Sequence, residues 1–179
     1  MNNRKLIKSQ HELSLINEFI AFISNETGVE YILLERPEPP DALLKSENGS
    51  IWVEIADIYR SDDEAHEELS HVTPGEENFI HRENPIVEPD KRIADRLFNV
   101  LMKKISKSSY RNITSQLGKG ILILNERDPL FNDRTLNYIH DLMVDVQNDL
   151  DLESDYFKEI YLSFRSGLGI SFLKLMCFE

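Results

Sequence analysis

The chain is poor in the features that mark secreted, membrane-spanning or thiol-based proteins. Its single cysteine, Cys177, stands two residues from the C-terminal end. That excludes an internal disulfide framework and a thiolate cluster, and a reducing, cytoplasmic setting is the expectation. No apolar run reaches the roughly 18 residues that a membrane-spanning helix needs, so no membrane partner is expected. The opening stretch, Met1-Asn2-Asn3-Arg4-Lys5-Leu6-Ile7-Lys8, has neither an apolar core nor a small-residue cleavage site, which speaks against a signal peptide. Positive charge is scarce: 20 Lys and Arg face 32 Asp and Glu, a net charge of −12. A general nucleic-acid coat is thereby disfavoured. Also missing are a Gly-rich phosphate loop, a Gly-x-Ser-x-Gly elbow and a Cys–His nucleophile pair. His66 and His71 are five residues apart, about 140° around a helix, and cannot grip one metal from one helix face.

What is present reads as one α/β domain over residues 1–179, with 41% hydrophobic residues and enough chain for one core. Its charge is uneven. Residues 61–89 are strongly acidic, with Arg82 the one Lys or Arg among them, whereas residues 90–119 hold Lys91, Arg92, Arg96, Lys103, Lys104, Lys107, Arg111 and Lys119 against Asp90 and Asp95. An acidic protein can still present one basic face to a phosphate backbone; a solvated helix beside a solvated acidic loop is the plainer alternative.

Apolar periodicity predicts a helix over 9–25, where Leu13, Leu15, Ile16, Phe19, Ile20, Phe22 and Ile23 share a broad arc before Gly28. Strands are predicted at 29–35, 41–45 and 51–58, the last two joined at the turn signal Asn48-Gly49. A short acidic helix at 61–71 and a long loop at 72–88 come next. Pro89 opens a helix running to about residue 108. An all-apolar strand at 120–125, an amphipathic helix at 133–149 and two strands at 159–164 and 169–175 complete the order. In the 133–149 stripe, Leu136, Ile139, His140, Met143, Val146 and Leu150 read as core packing. The first three strands suggest an antiparallel meander, and a strand bracketed by helices suggests a crossover. The expected fold is α/β, a mixed central sheet flanked by helices.

The most informative feature is a carboxylate pair. Pro40-Asp41 precedes Ile51-Trp52-Val53-Glu54-Ile55-Ala56-Asp57-Ile58, and an ionised Glu inside a buried strand costs several kcal/mol (about 3–5) unless something pairs with it. A divalent metal between Asp41 and Glu54 would supply the partner. Alternation puts Trp52, Glu54, Ala56 and Ile58 on one strand face and Asp57 on the other. At about 100° per residue the first helix's apolar arc centres near Glu12, while Glu18 points away. Structural alternatives stay open: Asp after Pro is common in turns, Glu54 could lie on an edge strand, and an acid in a first helical turn favours the helix dipole.

In order and context, a helix acid, Pro40-Asp41, Glu54-Ile55-Ala56, a following helix and a further strand resemble the PD-(D/E)XK nuclease superfamily over roughly residues 9–125. One departure is clear: Ala56 stands where the family's strand lysine would be. The resemblance implies a restriction-endonuclease-like fold and metal-dependent hydrolysis of phosphodiester bonds in nucleic acid, DNA by expectation. It implies Mg²⁺ (or Mn²⁺) held by Asp41 and Glu54, aided by Glu12 and the Ile55 backbone carbonyl. Lys104 falls inside the buried arc of Ile93, Leu97, Val100, Leu101 and Ile105 and is the candidate substitute for the strand lysine, expected as the only lysine near the carboxylates; its alternative is to snorkel to solvent. The stretch Lys103-Lys104-Ile105-Ser106-Lys107-Ser108-Ser109-Tyr110 also resembles the lysine-rich helix end, followed by Tyr, of superfamily members with altered strands. Lys103, Lys107 and Arg111 are the candidate nucleic-acid contacts. The competing class is a non-catalytic protein of the same fold that binds nucleic acid or a protein partner, favoured by Ala56, the net charge and the acidic 61–89 segment. A homodimer is compatible with either.

Overall fold

The computed structural model describes residues 3–59, 88–128, 131–150, 154–167 and 169–178. The expected helix at 61–71 and loop at 72–88 lie almost wholly outside these residues. The elements in chain order are helix α1 (Asn3–Thr27), strands β1 (Ile32–Glu35), β2 (Ala42–Ser46) and β3 (Gly49–Ile58), helix α2 (Pro89–Ile105), a 3₁₀ turn (Ser108–Tyr110), helix α3 (Arg111–Leu117), strand β4 (Gly120–Glu126), helix α4 (Asp133–Leu150), and strands β5 (Phe157–Ser166) and β6 (Gly169–Cys177).

The six strands form one mixed sheet in sequential order, β1 to β6. β1, β2 and β3 pair antiparallel as the meander that short turns allow. β3–β4 and β4–β5 are parallel, and β5–β6 closes the sheet antiparallel. Each parallel step needs a crossover. Both crossovers progress in the same direction, so connections of one hand put α2 and α4 on the same face. There they pack on each other, over a core built from Trp52, Ala56, Ile58, Leu97, Leu101, Leu122, Leu124, Ile139 and Leu162. Helix α1 covers the opposite face, where Leu15, Ile16, Phe19 and Ile23 meet Val53, Ile55, Ile121 and Ile123. β3 and β4 are thus buried on both sides, which explains why β4 reads as an unbroken apolar run.

The sequence reading needs correction at several places. The first helix is longer than 9–25 and the first strand shorter than 29–35. Leu13, at the margin of the apolar arc, is exposed. His140, set about 100° from buried Ile139 around the helix, is exposed beside Asp141 rather than packed in the core; Val146 and Leu150 have side chains outside the description. The helix from Pro89 stops at Ile105, not near 108. Had it continued, Tyr110 would sit about 140° around the axis from Ile105 and face away from the sheet. The turn at 108–110 rotates it back, and Tyr110 is fully buried. Helix α3, with Ile113 and Leu117 its only large apolar residues, has too little periodicity to announce itself.

Candidate functional site

β2 and β3 stay in register from Ser46↔Gly49 to Ala42↔Val53, and no rung follows. β3 runs on to Ile58 with β4 on its other side, so its C-terminal half has one edge that β2 does not cover. Asp41, the residue just before β2, fills the next rung with its side chain: Oδ2 accepts the Ile55 N–H at 2.7 Å. The N–H and C=O of one strand residue point to the same side, so the Ile55 carbonyl faces the same edge as Asp41.

Glu54, one residue earlier, points to the α2 face. It is 6% exposed in a strand whose neighbours are apolar. Its Oε1 accepts from Lys104 Nζ at 2.7 Å and from the Tyr110 hydroxyl at 2.8 Å. Its Oε2 is buried and has no hydrogen-bond partner. An orphaned carboxylate oxygen is a costly feature. Lys104 sits in the last turn of α2 and is 21% exposed; it turns inward to the carboxylate instead of snorkelling outward. Tyr110 stacks on Trp52 with ring centroids 5.5 Å apart and meets Phe157 edge-on at 5.2 Å. Trp52 is itself fixed, its Nε1 donating to the Gly118 carbonyl at 2.8 Å. A Cβ at Gly120 would come within 2.3 Å of the indole, so only glycine fits beneath it. Burial, and then the Glu54 charge, raise the Tyr110 pKa, which keeps the hydroxyl a neutral donor.

On the other side of β3, Arg36 Nη2 donates to Glu12 Oε2 at 2.7 Å, and Lys8 Nζ lies 3.4 Å from Glu12 Oε1. Glu12 is half-buried, as the phase of α1 requires, and Glu18 is exposed. Glu12, Arg36, Lys8 and Asp41 line one cavity of about 250 Å³. The Asp41 carboxyl is pushed up to about 6, first by burial and next by the Glu54 charge, with Glu12 adding to the rise; the Ile55 N–H and Lys104 oppose it. Asp57, on the α1 face, accepts from Asn125 and shares a second cavity with Lys8 and Glu12.

The structure therefore brings Asp41, Glu54, Ile55 and Lys104 together at the middle of β3, just past the point where its pairing with β2 stops. Glu12 comes to the adjoining cavity with both oxygens already engaged by cations, which is a different position from that of a free third ligand. Lys104 is not alone: burial works against the Lys8 ammonium, but Glu12 foremost, and then the charges of Asp41 and Asp57, raise its pKa. Lys103, Lys107 and Arg111 are exposed around the end of α2 and the start of α3, with Lys107 Nζ 5.5 Å from the centre of the Tyr110 ring. Among the described residues no group of three or more His, Cys, Asp or Glu side chains is set to hold a metal ion. Two carboxylates and a backbone carbonyl suit Mg²⁺, which keeps several waters, better than an ion that needs a full protein cage. Arg36 and Lys8 are the residues that sequence reasoning missed. The Lys8–Glu12 spacing of four on a helix was legible as a pair; the reach of Arg36 across the proline loop had no local signal. Compared with known proteins, the chain matches no family model, no curated protein and no solved structure.

Proposed function

We propose that this protein is a divalent-metal-dependent nuclease with a restriction-endonuclease-like fold, acting on the phosphodiester bonds of DNA. One observation carries the reading: Glu54 Oε2 is buried without a hydrogen-bond partner beside a second carboxylate, Asp41, whose own charge is disfavoured there. A pair of carboxylates in that condition calls for a cation, and the residues present fit Mg²⁺ or Mn²⁺. Asp41, Glu54 and the Ile55 carbonyl would hold the ion. When bound, it would polarise the scissile phosphate and make water a better nucleophile.

The chain's own groups would do the rest. Tyr110 and Lys104 hold one Glu54 oxygen and leave the other to the ion. The Lys104 ammonium, which stands on the face where Ala56 carries no charge, offsets negative charge on the phosphate and orients the attacking water. The exposed Lys103, Lys107 and Arg111 continue the positive bank outward, where they would follow the phosphate backbone. Glu12 stays on the cavity side.

The test is cleavage of single- and double-stranded DNA in Mn²⁺ or Mg²⁺. Wild type should cut, and Asp41→Asn and Glu54→Gln should not. Lys104→Ala should cut at least about a hundredfold more slowly while still binding Mn²⁺. A second reading has an observation of its own: Lys104 is already committed to Glu54 at 2.7 Å and Ala56 is packed in the core, which suits a non-catalytic protein that binds nucleic acid or a protein partner. Wild type that binds DNA and cuts nothing would favour it.

A further inference from the structure

The loop that carries Asp41 cannot hold itself. Pro37, Pro39 and Pro40 have no N–H to give, so between Arg36 and β2 only Glu38 and Asp41 own a backbone donor. The loop leads directly into the residue whose carboxylate completes the β2–β3 ladder. Something else must fix it.

Arg36 makes bonds of the required kind. Its Nε donates to the Asp41 carbonyl at 3.3 Å, across the whole loop. Its Nη1 donates to the Ser9 carbonyl at 2.8 Å and the Ser9 hydroxyl at 3.0 Å, and its Nη2 to Glu12 Oε2 at 2.7 Å. One guanidinium thus ties helix α1 to the end of the proline loop. Its planar fork can make these bonds at once, which an ammonium cannot. Asp41 is gripped twice, its backbone by Arg36 and its Oδ2 by the Ile55 N–H at 2.7 Å. Among the described residues nothing donates to Oδ1. The clamp also accounts for Glu12: the acid faces the sheet because it anchors Arg36, and Lys8 balances its second oxygen.

We infer that Arg36 is a positioning residue that fixes Asp41 through its carbonyl, and that Glu12 acts through Arg36 rather than as a metal ligand. The consequence for metal affinity rests on the nuclease reading; the consequence for Asp41 does not. The experiment separates them. Amide hydrogen exchange is followed without divalent ions in wild type, Arg36→Gln and Glu12→Gln, and Mn²⁺ is then titrated into each.

With the clamp, Arg36→Gln should speed exchange at Ile55 about tenfold, the worth of one net hydrogen bond, while Ile123 on the neighbouring strand stays as protected as in wild type. Arg36→Lys should do the same while keeping a cation opposite Glu12, and it serves if Arg36→Gln folds poorly. Equal loss at Ile55 and Ile123, or none at Ile55, overturns the positioning role. Arg36→Gln should also weaken Mn²⁺ binding by about 10- to 100-fold, the usual cost of removing a partner that orients a ligand. Adding Glu12→Gln to Arg36→Gln should then change nothing more. A further loss as large as Glu12→Gln causes alone would make Glu12 a ligand and overturn the second half of the inference. If wild type binds no Mn²⁺, the metal reading fails, and the Ile55 exchange still decides the clamp.

Discussion

The two sides of β3 each pair a carboxylate with a cation, but they are built differently. On the α2 face Glu54 meets Lys104 and Tyr110 inside a packed aromatic shelf that runs from Gly118 and Gly120 through Trp52 to Phe157. On the α1 face Glu12 meets Arg36 and Lys8 at the wall of an open cavity. Lys104 and Arg36 are equally exposed, but Glu54 is the more buried acid and leaves one oxygen without a partner. Glu12 is about twice as exposed and has both oxygens engaged, one of them by the 56% exposed Lys8. Equal chemistry in unequal surroundings should give unequal energies, because the Coulomb attraction and the desolvation cost both grow as water is removed.

The largest expected effect measures that inequality. Lys104→Met keeps the apolar stem but leaves Glu54 as an uncompensated buried charge, and should cost about 3 kcal/mol in urea unfolding without divalent ions. Lys8→Met removes a partner that is 56% exposed, and should stay within about 0.5 kcal/mol. Mg²⁺ should then recover part of the Lys104→Met loss, more than it stabilises wild type, because the ion replaces the missing positive charge. Equal costs for the two lysines would break the comparison. Recovery without a difference between wild type and variant would mean that Mg²⁺ acts elsewhere.

A smaller effect tests Asp41, which stands between the two sides. Its carboxyl is pushed up to about 6 from an ordinary 3.8, by burial first and by Glu54 next. The folded chain therefore holds this proton more tightly than the unfolded chain does. Asp41's contribution to stability is full below about pH 4, falls as pH rises towards about 6, and remains a penalty above that. Asp41→Asn keeps an oxygen for the Ile55 N–H and removes the charge. It should stabilise the protein by about 1–2 kcal/mol at pH 8 and by nothing at pH 4. Saturating Mg²⁺ should erase the gain at pH 8, since the ion takes the proton's place. A pH-independent difference between variant and wild type would show that Asp41 is not the group that titrates.

The order of elements was legible because the physics that sets it is local. An apolar run after a turn signal announced β3, an unbroken apolar run announced β4, and Asn48-Gly49 announced the turn before β3. The parallel step from β3 to β4 followed from the helices bracketing β4. Glu54 stood out because an acid in an apolar strand needs a partner, and Lys104 because a lysine on a buried arc is out of place. The rest depended on contacts that no local pattern encodes. Tyr110 reaches Glu54 only because α2 breaks at Ser106, and the break is legible only once Tyr110 is known to be buried. Arg36 serves Asp41 by folding back across a loop of prolines, and its bonds to Ser9 and Glu12 cross more than twenty residues. Helical phase placed Glu12 on the correct side but could not reveal that both its oxygens are engaged.

The smallest stability effect concerns the surface that extends the α2 side outward. Lys103 and Lys107 are exposed, so reversing Lys103 should change folding by no more than about 0.5 kcal/mol. Reversing Lys107 should cost up to about 1 kcal/mol, because its exposed ammonium lies 5.5 Å from the centre of the buried Tyr110 ring and a cation–π contact at an exposed site is worth about 0.5–1 kcal/mol. Their effect on DNA should be out of proportion to their effect on folding. Each phosphate contact that releases a counterion adds about −0.9 to the slope of log K against log salt on duplex DNA. Lys103→Glu with Lys107→Glu should therefore flatten the slope by about 1.8 if both lysines touch phosphates. The same reversal at Lys8, on the cavity side, should leave the slope unchanged if the strand follows the α2 side alone. Fluorescence anisotropy of a labelled duplex at several salt concentrations measures all three proteins. A slope that Lys8→Glu flattens as much as the double reversal would place DNA across both sides of β3, and the contrast between the two would then hold for stability but not for binding.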